Sequence, residues 1–61
     1  MCLSTVYKIR DNEKEKVCEY VSGVENRDGV LIFTDVMGDE TEVDGTLLSM
    51  DFVKNEILIG E

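Results

Sequence analysis

Few side chains in this sequence are equipped for chemistry. Histidine is absent, which removes the commonest general base and the commonest metal ligand. What remains is a thiol at Cys2, a second at Cys18, and the acidic run Asp35, Asp39, Glu40, Glu42 and Asp44. A thiolate is a soft ligand that suits Ni(II), Cu(I) or Zn(II) better than Mg²⁺ or Ca²⁺. Cys2 also lies beside the chain terminus, so its sulfur can act together with the terminal or backbone nitrogen of Met1 or Cys2. Mixed N/S sets of this kind favour square-planar Ni(II) or Cu(II). One thiolate makes a weak site, and a second copy of the chain across a two-fold axis would supply another. Loss of Met1, which a residue as small as Cys at the second position permits, would leave the free amine on Cys2 itself and form a five-membered N,S chelate.

Each feature also has a plainer reading. A lone cysteine is usually a small hydrophobe, and from spacing alone that is the stronger reading of Cys2. Cys18 sits within an extended run, on the side that simple alternation shares with Tyr20, Ser22 and Val24, and reads as core filler. The acidic run lacks the D-x-[DN]-x-[DN]-G loop and closing glutamate of a calcium site. It reads instead as an edge strand kept soluble by charge. No phosphate-binding glycine loop, dinucleotide fingerprint, CxxC pair or HExxH occurs, and no Ser/His/Asp triad is available without histidine. These gaps argue against an enzyme.

The elements that must hold these residues are short. The 61 residues form one domain, 1–61, and 43% of them are hydrophobic. A chain of this size supplies a core of only about 3–5 kcal/mol and often adds a staple such as a metal or a partner subunit. Apolar runs alternate with turn chemistry at close intervals. Residues 2–10 read as a strand, followed by a turn over "DNEKE", residues 11–15, to which Asp11 and Asn12 are suited. Residues 16–25 read as a second strand, in which Gly23 marks a bend or bulge. Asp28-Gly29 is a hairpin signal before "VLIFTDVM", which is apolar at nearly every position. A short charged strand around residues 40–43 follows, then "TLLSMDFV" and "EILIG" joined at Lys54-Asn55. Residues 46–53 offer a helical apolar face but no capping box, and strand is preferred. The pattern predicts an all-β fold: a small antiparallel barrel or strongly curled sheet of about five to seven short strands.

Fourteen acidic against six basic residues give a net charge of −8. Four of the bases, Lys8, Arg10, Lys14 and Lys16, are interrupted by Asp11, Glu13 and Glu15, so no basic patch forms. That balance disfavours nucleic acid, whose binding needs clustered cations. No apolar run approaches the ~20 residues of a membrane span, and no secretory signal is visible. The expectation is a cytoplasmic protein with reduced thiols.

Taken in order, "MCLSTVY", "VCEYV", "LIFTDVMGDETEVDG" and "LSMDFVKNEILI" resemble the CooT family across essentially the whole chain. These are small nickel-binding accessory proteins associated with maturation of carbon monoxide dehydrogenase. The resemblance implies a small all-β homodimer that binds Ni(II) through Cys2 of each subunit, one metal per dimer near the two-fold axis, with a nickel enzyme or other maturation factors as partners. It assigns no ligand role to Cys18. Similar sequences are also described as predicted RNA-binding proteins, which the charge of −8 and the lack of a basic, aromatic-lined groove oppose. An RNA-binding barrel and an acidic protein-interaction module are the alternatives. For Cys2, the resemblance reverses the order of the two readings.

Overall fold

The structure is a computed structural model and describes residues 3–61. Six strands follow in chain order: β1 (Ser4–Arg10), β2 (Glu13–Arg27), β3 (Val30–Asp35), β4 (Glu40–Asp44), β5 (Thr46–Asp51) and β6 (Glu56–Gly60). They form one sheet in the order β4-β3-β2-β1-β6-β5. The fold is all-β and curled, as the spacing of apolar runs and turns predicts.

Local chemistry sets the turns. Asp11 (φ 53°) and Asn12 (φ 64°) join β1 to β2, and Asp28 (φ 51°) with Gly29 (φ 83°) joins β2 to β3. Paired positive φ values match the right-handed strand twist in two-residue hairpins, and Asp, Asn and Gly tolerate them best. The first turn uses only two residues, so Glu13, Lys14 and Glu15 belong to β2 rather than to the loop that their charge suggests.

β2 is the organising element. Its first half pairs with β1 and its second half with β3. Register shifts lie on either side of Val21, between Ser4/Val6 in one ladder and Val21/Gly23 in the other. The strand bends there and folds one half of the sheet over the other. Gly23 stands at this bend, yet a Cβ built on it would meet nothing within 4 Å. The bend therefore comes from the bulges and not from a bare backbone. Tyr20 takes the left-handed conformation at φ 60°, which is rare for an aromatic residue. Its extra residue flips the alternation, so that Cys18 pairs with Val6 and Val21 pairs with Ser4.

One pairing is parallel: β1 runs alongside β6 from Thr5↔Glu56 to Ile9↔Gly60. Turn signals report only neighbouring strands, so this contact between the first and last strands is not visible in the pattern. The sheet also keeps two edges, β4 and β5. They follow each other in the chain with only Gly45 between them, so the curl must bring opposite edges together at that corner.

The core lies inside the curl. Val6, Val21, Leu31, Phe33, Val43, Ile57 and Ile59 form one buried cluster, with Val17, Cys18 and Met50 packed against it. Ile32 is also buried but points the other way, flanked across the strands by Glu25 and Glu42.

Candidate metal centre

Cys2 lies outside the described residues. The structure does define the surroundings that the chain enters at Leu3. The registers Asp35↔Val21↔Ser4 and Thr5↔Glu56↔Asp51 place the bend of β2, the start of β1 and β6, and the ends of β3 and β5 at one level of the sheet. The Thr5 amide donates to the Asn55 carbonyl at 2.9 Å, tying the chain start to the β5–β6 loop. Asn55 Oδ1 is buried at the same place and has no hydrogen-bond partner among the described residues.

Two loops at this level are built alike. Asp35 ends β3, and its Oδ1 accepts the amides of Met37 and Asp39 at 2.9 and 3.0 Å. Asp51 ends β5, and its Oδ1 accepts the amides of Val53 and Lys54 at 2.9 and 3.0 Å. The Lys54 and Val53 amides hold the Asp51 carboxyl below its ordinary pKa. Its share of stability is present above the usual carboxylate range and is lost as pH falls through the lowered value. Each aspartate is followed by an exposed apolar pair, Val36-Met37 and Phe52-Val53. The strand pattern runs through Phe52 and Val53 in the sequence, because apolar residues continue there; the Asp51 cap ends the strand before them.

Cys18 is half-buried against the core, in the place expected for a filler. It does not share a face with Tyr20 as alternation predicts, because the bulge at Tyr20 turns it to the side of Val21. Burial first, and the charge of Asp35 second, push the thiol above its ordinary pKa. A protonated thiol is a poor ligand and a poor nucleophile. In a Cys2→Ala background, iodoacetamide should therefore alkylate Cys18 more slowly near neutral pH than it alkylates a free thiol. Labelling should speed up only at alkaline pH or on unfolding. Rapid labelling at neutral pH would show an activated thiolate instead.

The acidic run does not converge. Asp35 serves as a cap, while Glu40, Glu42 and Asp44 are exposed along the edge strand β4. Among the described residues, no group of three or more Cys, Asp or Glu is placed to hold a metal ion. Nor do the described residues form a basic groove: Arg10, Lys14, Lys16 and Arg27 pair with Glu61, Glu56, Glu19 and Glu25. Lys14 also lies 4.8 Å from the centroid of the Tyr7 ring, linking β2 to β1 and, through Glu56, to β6. Such exposed pairs add little stability, but they neutralise four of the six cations that a nucleic acid would need.

The fold is that of a small all-β protein in which the start of β1, the bulged strand and two capped apolar loops lie at one level of the sheet. The family model described as "CO dehydrogenase accessory protein CooT" matches residues 1–60, and the chain belongs to this family. The match includes Met1 and Cys2. No curated protein matches the chain. Among solved structures, a crystal structure assigned as CooT from Carboxydothermus hydrogenoformans is similar at a TM-score of 0.91 and 15% identity. That likeness covers 98% of this chain and 97% of the other, and it bears on the fold. Among the described residues, no helix is long and apolar enough to cross a membrane.

Proposed function

We propose that this chain is a nickel-binding accessory protein of metalloenzyme maturation. It acts in the cytoplasm as a homodimer, with Cys2 of each subunit holding Ni(II). The observation that carries this reading is the match to the family model from the first residue, which includes the terminal Met-Cys pair. The Cys2 thiolate supplies the soft donor, and the terminal or backbone nitrogen beside it supplies a harder one. A second copy doubles the set. The nickel is cargo, so the chain needs no catalytic group, and its partner in the family context is carbon monoxide dehydrogenase. The raised pKa of Cys18 supports keeping that thiol out of the ligand set.

Titrating Ni(II) into the reduced protein should raise a thiolate-to-nickel charge-transfer band that saturates at one metal per two chains. Cys2→Ala should abolish the band, and Cys18→Ala should leave it intact. A band that survives Cys2→Ala would overturn the ligand assignment. Cu(II) and Zn(II) belong in the same titration, because intrinsic affinities rank copper above nickel.

A further inference from the structure

We propose that Asn55 is a positioning residue for the metal site: its side-chain oxygen receives the Leu3 amide when Ni(II) draws the chain start in. This rests on the nickel reading, while acceptor and donor are both drawn from the structure. Asn55 Oδ1 is buried and has no hydrogen-bond partner among the described residues. An unpaired buried acceptor is costly, so one that persists in a fold calls for a partner of its own. The backbone does not explain the side chain. Asn55 has φ 57°, which Asn tolerates, but glycine would serve that conformation as well and would bury no carboxamide.

The donor follows from the ladder. β1 lies between β2 and β6, so its amides turn alternately to the two neighbours. The Thr5 amide turns to the β6 side and donates to the Asn55 carbonyl at 2.9 Å. By the same alternation Leu3, two residues earlier, turns its amide to that side. At the next rung the acceptor would be the Val53 carbonyl. However, β6 begins at Glu56, and the Asp51 cap carries Val53 out into an exposed loop. The backbone ladder thus stops at Asn55, and the unpaired Asn55 oxygen stands where it stops. A bond from Leu3 to this oxygen extends the ladder by one rung and fixes the direction in which the chain start leaves the sheet. Groups that orient a ligand set in this way are worth about ten- to a hundredfold in metal affinity.

Two variants separate the carboxamide from the turn. Asn55→Gly keeps the positive φ and the main-chain carbonyl that Thr5 uses, and removes Oδ1. Asn55→Asp keeps an acceptor oxygen at the same place. Each is titrated with Ni(II) through the charge-transfer band, and amide hydrogen exchange is followed residue by residue with and without the metal. In the wild-type chain Ni(II) should slow exchange of the Leu3 amide. Asn55→Gly should melt like the wild-type chain without metal, lose that protection, and bind Ni(II) about ten- to a hundredfold more weakly. Asn55→Asp should restore both. A Leu3 amide that nickel leaves unchanged, or wild-type nickel affinity in Asn55→Gly, overturns the assignment and leaves Oδ1 to an internal water. Metal-free Asn55→Gly that melts far below the wild-type chain overturns it too, because the carboxamide then holds the fold and not the site. The nickel reading fails in a different way: the wild-type chain then gives no charge-transfer band, and this assignment falls with it.

Discussion

Replacing Gly45 with alanine is expected to abolish cooperative folding. Gly45 is the single residue between β4 and β5, which lie at opposite edges of the sheet order. Its φ of +153° belongs to a region that side-chain-bearing residues rarely adopt. The space is closed as well: a Cβ would lie 2.5 Å from the Gly60 carbonyl oxygen and 2.7 Å from Ile59 Cγ2. Gly60 is paired on both sides, with Ile9 in β1 and Thr46 in β5, so its backbone cannot retreat without breaking two ladders. Backbone strain and overpacking each cost about 1–3 kcal/mol. Together they rival the ~3–5 kcal/mol that a core of this size provides. Circular dichroism should show no cooperative thermal transition for Gly45→Ala. A melting curve like that of the wild-type chain would mean that the corner can open.

The second large effect is expected at Phe33. It is 1% exposed and is among the largest fully buried side chains. It sits in the cluster with Val6, Val21, Leu31, Val43, Ile57 and Ile59, which joins the two folded halves of the sheet. Phe33→Ala removes the ring and leaves a cavity, at a cost of about 3–5 kcal/mol. That equals the whole expected stability of the chain, so the variant should be largely unfolded without denaturant. Phe33→Leu keeps most of the apolar volume and should fold, with a lower urea midpoint. If Phe33→Ala unfolds at the wild-type midpoint, the cluster is not what joins the halves.

How far such features can be read from the residues depends on whether the deciding interaction is local. The hairpins at Asp11-Asn12 and Asp28-Gly29 are legible, because positive φ at two adjacent positions selects those residue types. The charged edge strand is legible for the same reason, since Glu40, Glu42 and Asp44 alternate outward. Three features are not. The bulge at Tyr20 reverses the face of Cys18, and no propensity marks an aromatic residue for a left-handed backbone. The end of β5 at Asp51 is hidden, because Phe52 and Val53 continue the apolar run while a side-chain cap turns the chain. The parallel contact of β1 with β6 joins residues about fifty positions apart, beyond the reach of any turn signal.

The candidate site divides similarly. The residue type and position of Cys2 define what it can bind, but spacing alone favours the plainer reading of a small hydrophobe. The resemblance to the family singles it out; the family match covers residues 1–60 and assigns no role to any one of them. Nothing in the sequence pattern places the Asp51-capped loop, with Phe52 and Val53, beside the start of β1, because that arrangement depends on the pairing of β1 with β6.

The parallel contact also decides how the molecule responds to tension. Force applied at the two ends of the described chain runs along β1 and β6 in opposite senses, because these strands are neighbours and point the same way. The ladder between them, from Thr5↔Glu56 to Ile9↔Gly60, is then loaded in shear, and its bonds resist together instead of opening one after another. An antiparallel pair with both ends on one side would unzip bond by bond. A domain this small and this marginal in equilibrium stability is therefore built, along that one direction, as a mechanical clamp.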